Sequence, residues 1–324
     1  MLRWGLIGPG RIARQFAEAL PATHSELHAV HSSNAERAET FANTYKAPLH
    51  FTDLQAFLAC EEIDVVYIAN PHRFHHDSVE QVLCAGKPVL CEKPLTVTEA
   101  QAKRLTDLAK EKNVFLMEAL WTRFLPAWQQ TKQWIEDGRI GDIQYLQSSF
   151  GFPVPRDPND RLLNPELAGG VLLDMGVYNV SMSQFVMQTE PDRIISDVFV
   201  GETGVDERTS VILGFGDVVS QFTCGFTTTY DNAFSIHGTT GVIRVPSMFW
   251  AATRAELHPN EGAVDVFEQP HWRNGFEYQI QEVEQCLAEG QLQSNIIPWA
   301  DTLTTLRIMD TVLQRAGVRY PFLS

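Results

Sequence analysis

The chain has 324 residues, 44 % of them hydrophobic and 20 % charged, which suits two globular domains and excludes a disordered chain. A formal net charge of -15 argues against nucleic acid and anionic membrane surfaces as partners, because both repel it. It leaves room for an anionic cofactor at a locally positive site. The opening residues 1–11 read as a strand entering a turn, and no apolar run reaches about 18 residues, so neither a signal peptide nor a membrane span is expected. The five cysteines are odd in number, widely spaced and without a CxxC pair, which predicts reduced thiols and a cytoplasmic setting.

In chain order, Leu2 to Ile7 is an apolar run broken by a glycine turn, and Ile12 to Leu20 carries apolar residues at helical spacing. Leu27 to His31 predicts a second strand, followed by a helix capped by Asn34; Asp53 caps a short helix through Leu58. Ile63 to Ala69 is nearly continuous in apolar residues, as a parallel strand buried on both faces requires. A helix from His76 to Ala85 closes at Gly86, and Pro88 to Cys91 is a strand. Thr98 with Gln101 forms a capping box for a helix to Lys112, and Val114 to Met117 is a sixth strand. Repeated β-α-β units of this length predict an α/β fold with a doubly wound parallel sheet of the Rossmann type over 1–119.

Residues 120–324 read as a second α/β domain with a large, mostly antiparallel sheet. A helix spans Phe124 to about Glu136, a strand Gln144 to Phe152, and Asp157 to Pro165 is a polar loop. Gly169-Gly170 precedes a helix over Leu172 to Met187. From Arg193 to Val245 apolar and polar residues alternate: Phe222, Cys224 and Phe226 share one face, Gln221, Thr223 and Thr227 the other. Helices over Glu277 to Glu289 and Trp299 to Ala316 finish the chain.

Gly8-Pro9-Gly10-Arg11-Ile12-Ala13 fits GxGxx(G/A). The first glycine permits the tight turn, the second lets a pyrophosphate approach the backbone, and the small third residue lets the helix pack on its strand. The motif follows an N-terminal strand and opens a helix, which favours a dinucleotide site over a plain glycine turn. An NAD site places Asp or Glu after the second strand, about 20 residues beyond the loop. This chain has His31-Ser32-Ser33-Asn34 there, with Arg37 one turn on. Ser32, Ser33 and Arg37 suit a 2′-phosphate, which favours NADP(H), with NAD(H) as the other option and a solvated Arg37 as the plain one.

Glu92-Lys93-Pro94 follows the fifth strand directly. In an open parallel sheet ligands bind beyond the carboxyl ends of the strands, so Lys93 is a candidate to hydrogen-bond a reacting hydroxyl. A surface lysine is an equally good reading of the residues alone. Pro94 fixes the turn and permits a cis peptide. His72, His75 and His76 are close together, but no carboxylate or cysteine has a supporting spacing, so no metal is predicted. His72 and His75 follow the fourth strand and are candidates to line a cofactor cleft. Trp121 is a candidate wall for a substrate pocket or a core tryptophan, and Arg123 and Phe150 are weaker candidates of the same kind.

The chain resembles the Gfo/Idh/MocA family of oxidoreductases over essentially its whole length. The resemblance rests on the glycine loop, on Ala69-Asn-Pro-His-Arg-Phe-His75, on Ala85-Gly-Lys-Pro-Val-Leu-Cys-Glu-Lys-Pro94 and on Gly169-Gly-Val-Leu-Leu-Asp174-Met-Gly-Val-Tyr178. Met117 to Pro126 and Glu202 to Asp206 are most similar to the dimeric dihydrodiol dehydrogenase-like members. The resemblance implies that Asn70, Pro71, His72, His75 and Glu92 join Lys93 at the cofactor, and that Lys93 polarises the substrate hydroxyl. It implies that Tyr178 is the acid/base, with Asp174 helping to position substrate. An unperturbed tyrosine titrates near about 10, and a nearby ammonium favours its phenolate. It further implies a homodimer through the second-domain sheet. Two arginines of the mammalian dihydrodiol dehydrogenases are replaced here by Gln144 and Val200, which leaves substrate and subunit contact open.

The expected activity is hydride transfer between a nicotinamide cofactor and a secondary alcohol or hemiacetal carbon of a sugar or trans-dihydrodiol. A glycosidase that oxidises its substrate transiently and a non-catalytic cofactor sensor are the alternatives. A tightly held cofactor without net turnover distinguishes the first; the presence of both Lys93 and Tyr178 weighs against the second.

Overall fold

The structure is a computed structural model and describes residues 1–323. The β-α-β units of the first part build one parallel sheet from β1 (Leu2–Ile7), β2 (Ser25–His31), β3 (Leu49–Phe51), β4 (Val65–Ile68), β5 (Val89–Glu92) and β6 (Leu116–Ala119). Its order is β3-β2-β1-β4-β5-β6, so the winding reverses between β1 and β4. All of β4, β5 and β6 is buried, which is why those segments read as mostly apolar, broken only by Glu92 and Glu118.

The helices between the strands are α1 (Arg11–Ala19), α2 (Ala35–Tyr45), α3 (Leu54–Leu58), α4 (His75–Cys84) and α5 (Glu99–Lys112). The expected caps form: Asn34 Oδ1 accepts from Arg37 N at 2.9 Å, Asp53 Oδ1 from Gln55 N at 3.0 Å and Thr98 Oγ1 from Gln101 N at 3.3 Å. The capping box differs in its return bond. Gln101 Oε1 accepts from Val97 N at 3.3 Å, one residue before the cap. Phe16 of α1 stacks on Tyr67 of β4 at 3.9 Å and meets the edge of Trp4 at 4.9 Å, which seats α1 on the centre of the sheet.

The chain divides into two compact units, Met1–Trp121 with His271–Leu303 and Thr122–Pro270 with Thr304–Ser324. Residues 271–303, counted with the second domain in the sequence, pack with the first. α8 (Phe276–Ala288) buries Phe276, Ile280 and Val283, each worth about 1.5–3 kcal/mol. Asn274 Nδ2 donates to Gln15 O at 2.8 Å, Ser25 Oγ to Glu284 Oε1 at 2.5 Å, Leu116 N to Leu292 O at 3.0 Å and Trp299 Nε1 to Leu116 O at 2.8 Å.

The second unit is built on an eight-stranded sheet. Its strands are β7 (Ile143–Gly151), β8 (Arg193–Val200), β9 (Asp206–Phe215), β10 (Val218–Gly225), β11 (Phe234–Gly238), β12 (Gly241–Val245), β13 (Arg254–Pro259) and β14 (Asp265–Glu268). The order is β14-β13-β12-β11-β7-β10-β9-β8, antiparallel except for the parallel β7–β10 pair. Phe222 and Cys224 are buried while Gln221 is exposed, as the alternation requires. β13 and β14 went unread in the sequence: β13 alternates over only Ala255 and Leu257, and β14 shows no alternation. α6 (Pro126–Glu136) and α7 (Val177–Met187) pack within this unit, and α9 (Trp299–Arg315) runs from the first unit's residues into the second's. α7 is buried on all sides, so its polar side chains need partners. Asn179 Nδ2 donates to Ser148 Oγ at 2.8 Å, and the hydroxyls of Ser183 and Ser220 lie 2.7 Å apart.

Candidate active site

In the first unit, the glycine loop leaves β1 through Gly8, whose N–H donates to His31 O at 3.2 Å, and Gly10 N–H donates back to Gly8 O at 2.8 Å. No side chain caps the start of α1 at Gly10. The first-turn N–H groups of α1 are therefore available to an anion. Pro9 is buried, Ile12 is 36 % exposed, and Arg11 is exposed beside the loop. Arg37 Nη2 reaches Pro9 O at 3.5 Å. Pro9, Gly10, Arg11, Arg14, Arg37 and Tyr45 line a groove of about 760 Å³. Arg14 was missed in the sequence because its approach to Arg37 depends on how α1 and α2 pack. Ser33 is exposed near this end of β2, while Ser32 is buried and its hydroxyl accepts from Asn34 N at 3.3 Å.

The loops after β4 and β5 hold one another. His75 is fully buried, with Nδ1 at 2.8 Å from Pro94 O and Nε2 at 2.8 Å from Asn70 O. Each ring nitrogen thus faces a backbone carbonyl, one of which accepts the single N–H of the neutral ring, and the ring is a brace between the two loops. Glu92 is buried beside it. It is 6 % exposed, with Oε1 accepting from Tyr67 Oη at 2.5 Å and Oε2 from Lys93 N at 3.3 Å. Burial pushes its carboxyl up to about 7 against the pull of Tyr67 and Lys93. Leu95 N donates to Glu118 Oε1 at 2.9 Å, and Thr302 Oγ1 donates to Glu118 Oε2 at 2.8 Å. The half-buried Lys93, joined to Pro94 by a cis peptide, thus sits in a loop pinned on both sides. Asn70 Nδ2 donates to Ser78 Oγ at 2.8 Å, Pro71 opens a short helical turn, and His72 lies edge-on to His75 at 5.7 Å. Trp121 is 9 % exposed and rests against Phe276 at 4.9 Å.

Burial lowers His75 to about 4, outweighing its two carbonyl contacts. A folded value below the ordinary 6.5 means its contribution to stability is complete above 6.5 and is lost as pH falls toward 4. In an NMR titration the His75 ring resonances are expected to stay at their neutral positions through 6.5; a midpoint near 6.5 would contradict the brace.

In the second unit, Tyr178 is the second residue of α7 and is 7 % exposed. Its ring lies 5.6 Å from that of Phe150, which stacks on Trp250 at 3.7 Å. Asp174 sits in a single π-turn, Leu172–Gly176, that runs into α7, where the sequence predicts one continuous helix. Arg161, from the polar loop, donates through Nη1 to Asp174 Oδ1 at 2.9 Å. Trp250 and Arg161 were not read from the sequence, since each reaches the site from a segment without helical or strand period. Arg123 is 1 % exposed, donates through Nε to Ser181 Oγ and through Nη2 to Ser181 O, both at 2.9 Å, and lies over the Phe185 ring. These bonds anchor α7 from inside.

The model of an oxidoreductase family with an NAD-binding Rossmann fold matches residues 2–120, and that of the GFO/IDH/MocA C-terminal domain matches 128–244. The chain belongs to the Gfo/Idh/MocA family. It is 35 % identical over 329 residues to trans-1,2-dihydrobenzene-1,2-diol dehydrogenase of Xenopus laevis, covering 98 % of this chain and 99 % of the relative. The human enzyme of the same name is 31 % identical, covering 99 % and 98 %. Among solved structures, KijD10, a 3-ketoreductase from Actinomadura kijaniata in complex with NADP and TDP-benzene, is 26 % identical with a TM-score of 0.86 and 98 % coverage of both chains. Levoglucosan dehydrogenase in complex with NADH and levoglucosan, at 21 % identity and TM-score 0.86 over 98 % of this chain and 97 % of that one, shares the fold.

As in its Gfo/Idh/MocA relatives, the first unit is a nicotinamide-dinucleotide-binding domain, and the protein is an oxidoreductase. The residues fit the cofactor: backbone alone flanks Gly10, and the free start of α1 suits a pyrophosphate. Among the described residues no cluster of three or more His, Cys, Asp or Glu is arranged to hold a metal, and no helix is long and apolar enough to cross a membrane.

Proposed function

We propose that this oxidoreductase is an NADP(H)-preferring dehydrogenase or reductase acting on a CH–OH carbon of a sugar or trans-dihydrodiol. The observation that supports the reading is the pinned loop that carries Lys93 at the carboxyl edge of the cofactor-binding sheet, the edge at which open parallel sheets bind ligands. Gly8, Pro9, Gly10, Arg11 and Ile12 hold the pyrophosphate, and Ser33 and Arg37 the ribose 2′-phosphate. A bound nicotinamide supplies the hydride acceptor or donor. Lys93 orients and polarises the substrate oxygen, Tyr178 takes or returns its proton, and Asp174 orients a neighbouring hydroxyl. The Phe150–Trp250 stack forms an aromatic wall beside Tyr178, suited to a sugar ring or a cyclic diol. The dihydrodiol dehydrogenase relatives support the substrate class.

The test is a panel of pentoses, hexoses, anhydrosugars, inositols and trans-dihydrodiols, each with NADP+ and NAD+, followed by the absorbance of the reduced nicotinamide. Turnover of a sugar or a trans-dihydrodiol of the panel supports the reading, and none with any member overturns it. The cofactor preference has its own variant. Arg37→Ala is expected to weaken NADP(H) binding about tenfold or more, the value of a lost charge-assisted bond, and to leave NAD(H) within about twofold. Equal loss for both cofactors, or tighter binding of NADH than NADPH by the unaltered protein, removes the preference.

We also propose a cytoplasmic homodimer formed through the open face of the second-unit sheet. On β8, Ile195 and Phe199 are 53 % and 50 % exposed, an apolar pair at a sheet edge. Light scattering at micromolar concentration is expected to give twice the chain mass; a monomer mass contradicts the assembly.

A further inference from the structure

The turn that carries Asp174 has no cap of its own. Leu172–Gly176 is a single π-turn, and no side chain of its own segment closes its N-terminus. Its first amide is met by a carboxylate 34 residues away: Asp206 Oδ2, at the first residue of β9, accepts from Leu172 N at 2.8 Å. The same oxygen accepts from Thr209 Oγ1 at 2.8 Å. Asp206 is 0 % exposed, so this is a carboxylate placed on a helix start inside the protein, where it complements the positive end of the backbone dipole.

The approach from the other side is equally close. A Cβ on Gly170, whose φ is +122, would stand 2.2 Å from Asp206 Oδ1. Gly170 N donates to Leu162 O at 2.9 Å, Asp174 N donates to Gly170 O at 3.3 Å, and Tyr320 Oη donates to Gly169 O at 2.8 Å. Gly170 is therefore where the backbone passes against a buried carboxylate, and Gly169 is where it passes against the backbone of Arg161 and Leu162. A π-turn is an uncommon geometry that a regular α-helix readily replaces, and that replacement would rotate residues 172–176 against α7. Burial raises the Asp206 carboxyl to about 6, a cost set against its two donors.

We propose that Asp206 is a positioning residue for the Asp174–Tyr178 segment, fixing the start of the π-turn and so the aim of both side chains without itself touching substrate or cofactor. This rests on the reading of Tyr178 as the acid/base given above.

The experiment is a double-mutant cycle on the full chain, with kcat, substrate KM, cofactor Kd and thermal midpoint measured for each variant. Asp206→Ala is expected to lower kcat about tenfold to a hundredfold, the cost of a misplaced reacting group, with cofactor Kd unchanged. Asp206→Asn, which keeps a carbonyl acceptor for Leu172 N and Thr209, is expected to recover kcat to within about threefold of the unaltered enzyme. In the Tyr178→Phe background, Asp206→Ala is expected to lower kcat by less than about twofold more, because the group it aims is already gone. Should Asp206→Ala not fold, Thr209→Val removes one of the two donors and is expected to cost a smaller loss of kcat that also disappears in Tyr178→Phe. Full additivity in that background, or equal losses for the Ala and Asn variants, overturns the proposal. Turnover lost in Tyr178→Phe but kept in Asp206→Ala overturns this proposal alone. Turnover kept in Tyr178→Phe overturns the acid/base reading, and this one with it.

Discussion

Replacing Tyr178 by Phe is expected to lower kcat by about 10²–10⁴-fold, the range of a lost general acid/base, with little change in cofactor affinity or thermal stability. The reason for the separation is geometric. The Tyr178 ring is 7 % exposed and packed beside Phe150, and a phenylalanine keeps that packing while removing only the hydroxyl. The glycine loop that serves the cofactor belongs to the other unit of the chain and is untouched by the change. Steady-state kinetics, cofactor titration and a melting curve on one preparation decide the matter. A variant that keeps most of its kcat shows that the proton travels by another group. One that loses cofactor binding or stability in step shows that the hydroxyl has a structural task.

Gly8→Ala and Gly10→Ala are expected to fail for different reasons. Gly8 has φ +88, and an added Cβ would lie 2.7 Å from Asn70 N and 2.9 Å from Asn70 Cα and Ala69 C. These are backbone atoms, so nothing flexible can move aside. The left-handed backbone and the clash together are expected to destabilise the protein by roughly 2 kcal/mol or more, with or without cofactor. Gly10 has φ -102, and its nearest neighbour would be Gly8 O at 3.9 Å. A methyl group fits there when the site is empty, and alanine restricts the unfolded chain, so the ligand-free protein should hold its stability or gain up to about 1 kcal/mol. The same methyl stands where the pyrophosphate needs to approach the backbone. Cofactor affinity is therefore expected to fall at least about tenfold, the effect of losing one good ligand contact. Melting curves with and without NADPH separate the two. If Gly10→Ala melts early without ligand, or binds cofactor normally, the division of labour between the glycines is wrong.

How far the sequence carried the fold depended on the range of each interaction. Caps at Asn34, Asp53 and Thr98 bond within three residues and were read correctly, as were the buried runs of the parallel sheet. The glycine loop was legible for the same reason: its meaning lies in consecutive residues. What escaped was fixed from far away. Asp174 reads as one turn of a continuous helix until Asp206 and Gly170 hold it in a π-turn. Trp250 has no pattern of its own and matters because Phe150 lies flat against it. The burial of His75, Glu92 and Arg123, and the contacts that each makes inside the protein, likewise depend on residues distant in the chain. Residues 271–303 form helical segments whose periodicity says that they bury a face but not against which partner.

That last segment bears on the order in which the protein is made. Domains commonly fold as they leave the ribosome, the N-terminal one first. Here the dinucleotide-binding unit is not finished when residue 121 emerges. The Leu116 backbone still lacks its partners at Leu292 and Trp299, and α1 lacks α8. The nascent chain carries an incomplete first unit through the synthesis of the eight-stranded sheet, and that unit closes only once residues 271–303 have been made. A stop codon between residues 122 and 270 therefore yields two unfinished pieces rather than one working cofactor-binding module.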